Sequence, residues 1–277
     1  MTLSGRNTIL KGSIALSSVF LFILAASSAR VIAACPDAVA AAFRRSAGFG
    51  QLIGGKFFEM NPYGAYISII ASVLYSFTAS IIIYYFFEKT QSPEILFFAL
   101  FALSFGFESM RIVVPLNMDH EILPIYLMIS SRFLLFGRYA GIFSLFAASI
   151  YAAGFQAQQQ RITLFVIVVA TLVIALGVPV DTLSWDTSFS MISGFLSMFR
   201  LVEAVMLIIT LISFFISSWF RSEKEFIVIG IGSFLVLLGR NLLLNADTWI
   251  SPIPGSLALA AGTWFICTRL HKVYLWL

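Results

Sequence analysis

Residues 97–115 read FFALFALSFGFESMRIVVP, a stretch apolar enough to cross a membrane except for one acidic and one basic residue. This pair, Glu108 and Arg111, is spaced i,i+3, so both side chains share one face of a helix and can pair. A charged side chain near the centre of a bilayer costs at least ~2.5 kcal/mol. The stretch therefore predicts a transmembrane helix that turns its charges toward other helices, water or a ligand.

Further charges occur in the same apolar setting. Arg132 and Arg138 lie within ISSRFLLFGRYAG, residues 129–141, and Arg200, Glu203 and Arg240 lie in later apolar runs. In total, five arginines stand against two glutamates, a surplus of +3 inside the predicted membrane region. Backbone carbonyls, water, acids of the outer loops or an anionic ligand must compensate this surplus.

The rest of the chain has the composition of a membrane protein. Its 277 residues are 60% hydrophobic and 11% charged, and the mean hydropathy is +0.97. Apolar windows of this length predict transmembrane helices. The sequence therefore predicts an all-α, polytopic membrane helical bundle with seven core helices: Tyr63–Phe87, Pro93–Pro115, Ile122–Gly154, Ile162–Val180, Thr187–Phe220, Glu225–Asn245 and Pro252–Val273.

The segments that connect these helices alternate in charge. One side carries a series of basic residues near the helix ends: Lys89, Arg161, Arg221, Lys224, Arg269 and Lys272. The opposite loops carry acids and no lysine or arginine: Asp119, Glu121, Asp181, Asp186 and Asp247. Because basic loops remain in the cytoplasm, the seven-helix core is predicted to be N-out and C-in.

The N-terminal region divides into two parts before the core at 63–277. Residues 1–34 carry Arg6 and Lys11 before an apolar run, which indicates either a cleaved signal peptide or a retained signal-anchor helix. Residues 35–62 are expected to form a short periplasmic or interfacial segment, with Arg44, Arg45 and Lys56 on the outer face. Both alternatives for residues 1–34 leave the core N-out.

Seven residues are candidates for a polar, outward-facing ligand site, and they lie in the outer half of their predicted helices: Glu108, Arg111, Arg132, Arg200, Glu203, Arg240 and Asn241. Guanidinium groups offer a planar fork that suits a carboxylate or phosphate. The alternative is that Glu108–Arg111 and Arg200–Glu203 neutralise themselves and tie helices together, while other arginines extend toward lipid headgroups.

Several classes of function lack the residues they need. Cys35 and Cys267 have no metal-ligand spacing, and His120 and His271 are the only histidines. We find no nucleophile–base arrangement and no basic run that would bind nucleic acid. The sequence therefore predicts no enzyme, no catalytic residue, no metal site and no cofactor. Gly137 and Gly141 predict close packing of one helix within the chain.

Two longer runs resemble the membrane region of bacterial seven-transmembrane receptors with diverse intracellular signalling modules. Residues 72–109, SVLYSFTASIIIYYFFEKTQSPEILFFALFALSFGFES, join two helices by a short charged turn. Residues 231–274, IGSFLVLLGRNLLLNADTWISPIPGSLALAAGTWFICTRLHKVY, place Arg240-Asn241 late in one helix and end the next with basic residues. The resemblance spans roughly Tyr63 to Leu277.

That resemblance implies a receptor of the bacterial cytoplasmic (inner) membrane, with a periplasmic sensory domain before the helices and a signalling module after them. Only about 28 residues separate the signal-like segment from the first core helix. We therefore expect output through a separate partner or a module outside this sequence. The first alternative to a receptor or sensor is a small transporter, or a transport accessory subunit, for an anionic solute, and a further alternative is a structural subunit of a membrane complex.

Overall fold

The computed structural model describes residues 3–34, 38–45, 62–90, 92–120, 123–221, 225–246, 248 and 250–275. The chain is mostly helical, with one small antiparallel hairpin. The elements in chain order are α1 (Leu3–Ala34), α2 (Ala38–Arg44), α3 (Pro62–Phe87), α4 (Pro93–Ser104), a 3-10 segment (Phe105–Ile112), α5 (Val113–His120), α6 (Pro124–Ala152), a 3-10 turn (Ala157–Gln159), α7 (Gln160–Gly177), β1 (Val180–Trp185), β2 (Met191–Ser193), α8 (Leu196–Arg221), α9 (Glu225–Leu244) and α10 (Pro252–Leu275).

Within the described residues, seven helical stretches are long and apolar enough to cross a membrane. They are α1, α3, the continuous stretch from α4 into α5, α6, α7, α8 and α9. The predicted polytopic helical bundle is therefore confirmed. The set differs from the predicted seven, because α1 is included and α10 is not. Helix α10 carries Pro252, Pro254 and Arg269, which make it less apolar than its neighbours.

The predicted fourth and fifth helices need correction at the point where they meet. Helix α7 ends at Gly177 and α8 begins at Leu196, so the helix predicted from Thr187 is wrong over its first turns. In its place, β1 and β2 pair as a hairpin that aligns Val180 with Ser193. Pro179 explains the early helix end, because a proline disfavours helical backbone in the residue before it.

A second difference concerns the helix predicted to end at Pro115. It runs on to His120, but its middle tightens into the 3-10 segment. Pro115 is tolerated because it lies in the first turn of α5, where a missing N–H leaves few bonds unmade. Runs of 3-10 helix longer than three or four residues are uncommon. This eight-residue segment is therefore an unusual feature of the bundle, and it carries both Glu108 and Arg111.

Glycines allow the closest helix contacts. A Cβ added at Gly137 of α6 would lie 2.4 Å from the Cβ of Phe107, and one at Gly141 would lie 2.4 Å from Ser104 Oγ. The predicted close packing at these two glycines is thus seen between α6 and the α4/3-10 stretch. Helices α9 and α10 approach in the same way, since a Cβ at Gly262 would lie 2.5 Å from the Gly232 carbonyl oxygen.

One end of the bundle gathers the start of α1, the end of α3 and the end of α10. Arg6 Nη2 donates to the carbonyl oxygens of Phe87 at 2.7 Å and Glu88 at 3.0 Å. Tyr274 donates to Glu94 Oε2 at 2.7 Å. These contacts bring the start of α1 to the end of α3 and the end of α10 to the start of α4, so α1 runs antiparallel to α3.

The opposite end gathers α2 and the β-hairpin. The indole Nε1 of Trp185 in β1 donates to the Ala42 carbonyl oxygen of α2 at 2.9 Å. Val39 and Ala42 join Trp185 and Phe189 in one buried apolar cluster. Two of the acids in the predicted outer loops, Asp181 and Asp186, lie in this hairpin region. Of the interfacial segment predicted at 35–62, residues 38–44 form α2, and most of the rest lies outside the described residues.

Candidate functional site

The 3-10 segment brings Glu108 and Arg111 together in the protein interior. They are 2% and 1% exposed, and Arg111 Nη1 lies 3.3 Å from Glu108 Oε2. Three residues per turn place side chains at i and i+3 directly above each other, so this backbone aligns the pair more closely than an α-helix would. The pairing that the sequence predicted is therefore present.

Arg138 of α6 completes the coordination of Glu108. Its Nε donates to Glu108 Oε1 at 2.9 Å and its Nη2 donates to Oε2 at 3.0 Å, which is the bidentate arrangement of a guanidinium with a carboxylate. The neighbouring Gly137 lets α6 approach closely enough for this contact. Sequence reasoning noted Arg138 as a membrane charge but did not include it among the site residues.

The β-hairpin covers the two arginines through its turn. Arg111 donates from Nε to the Ser188 carbonyl oxygen at 2.7 Å, and its Nη2 reaches the same oxygen. Arg138 Nη2 donates to Ser190 Oγ at 2.9 Å. The turn between the two strands is thus bound directly to charges carried by two of the helical stretches that are long and apolar enough to cross a membrane. Sequence reasoning missed Ser188 and Ser190 because these residues were assigned to a helix.

Asp186 organises that turn. Its Oδ1 accepts from the backbone N–H groups of Ser188 at 3.0 Å and Ser190 at 2.9 Å, and from the Ser188 hydroxyl at 2.7 Å. Aspartate and serine favour turns because their side chains bond to nearby backbone groups. This DxSxS pattern is the signal that could have identified the turn from sequence.

Asp181 stiffens the start of the hairpin in a similar way. Its carboxylate accepts from the Ser184 hydroxyl and from the Leu183 N–H, the latter at 2.9 Å. These two donors favour the ionised form and hold the pKa of Asp181 below its ordinary value. The hairpin is therefore a defined structural element and not a loose connection.

A second ion pair joins α8 to α9. Glu203 Oε1 pairs with Arg240 Nη1, although the sequence offered Arg200 as the i,i+3 partner of Glu203. Arg200 is exposed and interacts with Glu203 only as a nearby charge. The partner of Glu203 therefore comes from another helix, which periodicity within α8 could not reveal.

The two ion pairs belong to one electrostatic unit, which we call the ion cluster: Glu108, Arg111, Arg138, Asp186, Glu203 and Arg240. Arg138 interacts with Glu203, and Arg240 interacts with Glu108. Asp186 acts on both Arg111 and Arg138. These six residues are three arginines and three carboxylates, so the named group has no net charge, while Arg200 adds an exposed positive charge beside Glu203.

Besides Arg200, two predicted site residues, Arg132 and Asn241, lie outside the ion cluster. Arg132 Nη1 donates to the Ala175 carbonyl oxygen at 2.6 Å and also reaches that of Val178. It therefore caps the C-terminal end of α7, where a cation is favourable. Asn241 is exposed, and its side chain accepts from Asn245 Nδ2 at 2.5 Å. The structure thus brings four of the seven predicted residues together.

The capping role of Arg132 gives a prediction. We expect Arg132→Leu to destabilise the protein by roughly 1–2 kcal/mol, because two carbonyl oxygens lose a charged donor. Arg132→Lys should remain close to wild type, since an ammonium can donate to the same oxygens. Thermal unfolding in detergent measures both, with the exposed Arg200→Leu as the matched control. Equal stability of Arg132→Leu and wild type would contradict the capping role.

Comparison with protein-family models and with curated proteins finds no match to this chain. The fold and its spans make the chain a multi-pass membrane protein.

Proposed function

We propose that this chain is a non-enzymatic receptor or sensor of the bacterial cytoplasmic membrane, and that its β-hairpin is the element that responds to the signal. The observation that carries the proposal is the attachment of the Ser188–Ser190 turn to Arg111 and Arg138. A loop outside the membrane is thereby coupled to charges on two transmembrane stretches. A ligand that detaches the turn changes the partners of both helices.

The turn has the properties of a two-state element. Phe189 has φ of 60° and is buried among apolar residues, and such left-handed backbone is rare for a bulky residue. A strained conformation of this kind costs on the order of 1–3 kcal/mol and persists only when its surroundings hold it. The bonds from Arg111 and Arg138 supply that restraint, so weakening them favours release of the turn.

The ligand class follows from what the turn presents to the arginines. A carbonyl oxygen occupies the fork of Arg111, and Asp186 adds a nearby negative charge. A carboxylate or phosphate can replace both contributions. The cluster is also partly accessible, because the side chains of Arg138 and Glu203 are 23% and 32% exposed. Arg200 adds an exposed positive charge near Glu203.

The proposed sidedness follows the loop charges. The end that holds the hairpin carries Asp181 and Asp186, and the other end carries Arg269 and Lys272, which pair with Glu225 at 2.9 and 2.5 Å. Basic loops remain in the cytoplasm, so the hairpin faces outward and α10 ends inside. This orientation requires α10, which packs along α9, to cross the membrane as an eighth span. Output then passes at the cytoplasmic end, through a separate signalling partner or a module outside this sequence.

The test uses a reporter thiol at the turn. Ser188 is 5% exposed, so a thiol at this position reacts slowly while the turn stays attached. The substitution Ser188→Cys keeps the backbone carbonyl that Arg111 binds. In a background with Cys35→Ser and Cys267→Ser, reconstituted protein is exposed to acetate, succinate and inorganic phosphate. We expect one of these to raise the labelling rate of Ser188→Cys in a saturable manner, without accumulation of solute in proteoliposomes.

Two results would replace the sensor proposal with another function. Accumulation of the solute would make the chain a carrier for anions. If the protein shows no flux and no ligand-dependent change in labelling, and another membrane protein co-purifies with it, the chain is a structural subunit. Leu183→Cys in the exposed part of the hairpin serves as the control for sidedness, since an impermeant reagent should label it in intact spheroplasts.

A further inference from the structure

Helix α1 is buried along one regular stripe. Its buried residues recur at steps of four and three, with one gap of seven at the end: Arg6, Leu10, Ser13, Ser17, Phe20, Leu24 and Val31. This spacing of 3.5 residues is that of a helix packed along a seam against its neighbours. A cleaved signal segment requires a short apolar run but no such face. The stripe therefore indicates a helix adapted to this bundle.

Both ends of the stripe are bound to other elements. At one end, Arg6 donates to the carbonyl oxygens of Phe87 and Glu88 at the end of α3. Near the other end, Leu24 and Val31 belong to the apolar cluster that also holds Trp185 and Phe189 of the hairpin region. Removal of α1 would expose this cluster and leave the end of α3 without its arginine.

The middle of α1 contacts the 3-10 segment through Phe20. This side chain is 4% exposed, and a Cβ at Gly106 would lie 2.4 Å from Phe20 Cδ2. The ring of Phe20 also lies 4.6 Å from that of Phe107, centroid to centroid. Gly106 lies in the same 3-10 segment as Glu108 and Arg111, two residues before Glu108. Phe20 therefore packs directly against the backbone that orients these two residues.

We infer that α1 is a permanent transmembrane helix of the mature protein, and that Phe20 is a positioning residue that holds the 3-10 segment under the ion cluster. The first part resolves the choice between a signal peptide and a retained anchor. The inference rests on packing and on the geometry of the cluster, and it holds for a sensor, a carrier or a structural subunit alike.

Retention of α1 is tested on protein made in cells from the full chain with a C-terminal tag. Intact mass and N-terminal sequencing of the purified membrane protein should show residues 3–34 still attached. A start close to Cys35 in the mature protein would overturn the first part of the inference. Because no ligand is involved, this result is independent of the proposed function.

The positioning role is tested with a matched pair of phenylalanines on α1. Phe20→Ala should raise the labelling rate of the Ser188→Cys reporter by about tenfold and lower the melting temperature by on the order of 5–10 °C. Phe22→Ala is the control, because Phe22 is 74% exposed and should change neither quantity. Equal behaviour of the two variants would overturn the positioning role.

A double-mutant cycle separates positioning from a general loss of stability. Gly106→Ala places a methyl group against Phe20 and should also raise the labelling rate of Ser188→Cys. Combined with Phe20→Ala, the added methyl group has space, so the double variant should label more slowly than the sum of the two separate free-energy changes predicts. Additive effects of the two substitutions would contradict direct packing. Phe20→Leu provides a milder variant if Phe20→Ala fails to accumulate.

Discussion

Glu108→Ala is expected to be the most damaging single substitution in this protein. It removes the carboxylate that both Arg111 and Arg138 bind, so the buried guanidinium of Arg111 and the partly exposed one of Arg138 lose their carboxylate partner. Breaking a buried ion pair by removing one member typically costs about 3–5 kcal/mol. We expect a large fall in the thermal unfolding midpoint in detergent, or loss of the folded protein from the membrane.

Glu88→Ala is the matched control for this prediction. Glu88 is exposed, and within the described part of the chain its carboxylate accepts a hydrogen bond from the Tyr84 hydroxyl. It should shift the midpoint little. A combined Glu108→Leu, Arg111→Met and Arg138→Met variant should recover much of the lost stability, since apolar replacement of a whole buried ion group is often neutral. A Glu108→Ala protein as stable as wild type would show that the cluster makes no contribution.

Arg111→Lys should detach the hairpin while keeping the charge of the cluster. Arg111 uses Nε and Nη2 for the Ser188 carbonyl oxygen and Nη1 for Glu108. A lysine ammonium lacks this planar fork and cannot hold both partners in the same geometry. Loss of a charged hydrogen bond costs about 1.5–3 kcal/mol, so the labelling rate of Ser188→Cys should rise by roughly 10- to 100-fold.

The control for this second prediction is Arg240→Lys. Arg240 pairs with Glu203 at the other side of the cluster. Within the described residues, its guanidinium donates no hydrogen bond to the hairpin turn. It should affect stability more than labelling of the turn. If Arg111→Lys and Arg240→Lys raised the labelling rate equally, the specific attachment of the hairpin through Arg111 would be refuted.

Local pattern was sufficient for much of the architecture. Apolar runs predicted six of the seven spans and the start or end of most helices, because a membrane span requires a continuous apolar length that composition reveals directly. Glu108 and Arg111 could be paired from their spacing alone, since helical neighbours three residues apart share a face. Gly137 and Gly141 indicated close packing for the same reason.

The partners that come from other elements could not be read from local pattern. Arg138 reaches Glu108 across thirty residues, and Arg240 takes the place beside Glu203 that spacing offered to Arg200. Arg132 binds the carbonyl oxygens at the end of α7, far from the cluster for which the sequence proposed it. Each choice depends on which helix faces lie together, and many packings satisfy the same apolar runs.

The β-hairpin is the clearest example of the difference between what local sequence pattern predicts and what tertiary contacts decide. Residues 180–193 contain apolar and aromatic side chains that suit a helix in a window average, but Asp186, Ser188 and Ser190 bond locally into a turn. Local sequence therefore determined that this protein spans a membrane and that charges lie inside it. Tertiary structure alone decided that Glu108, Arg111 and Arg138 meet beneath the hairpin and that Glu203 pairs with Arg240, because ion pairing depends on distances between side chains that lie far apart in the chain.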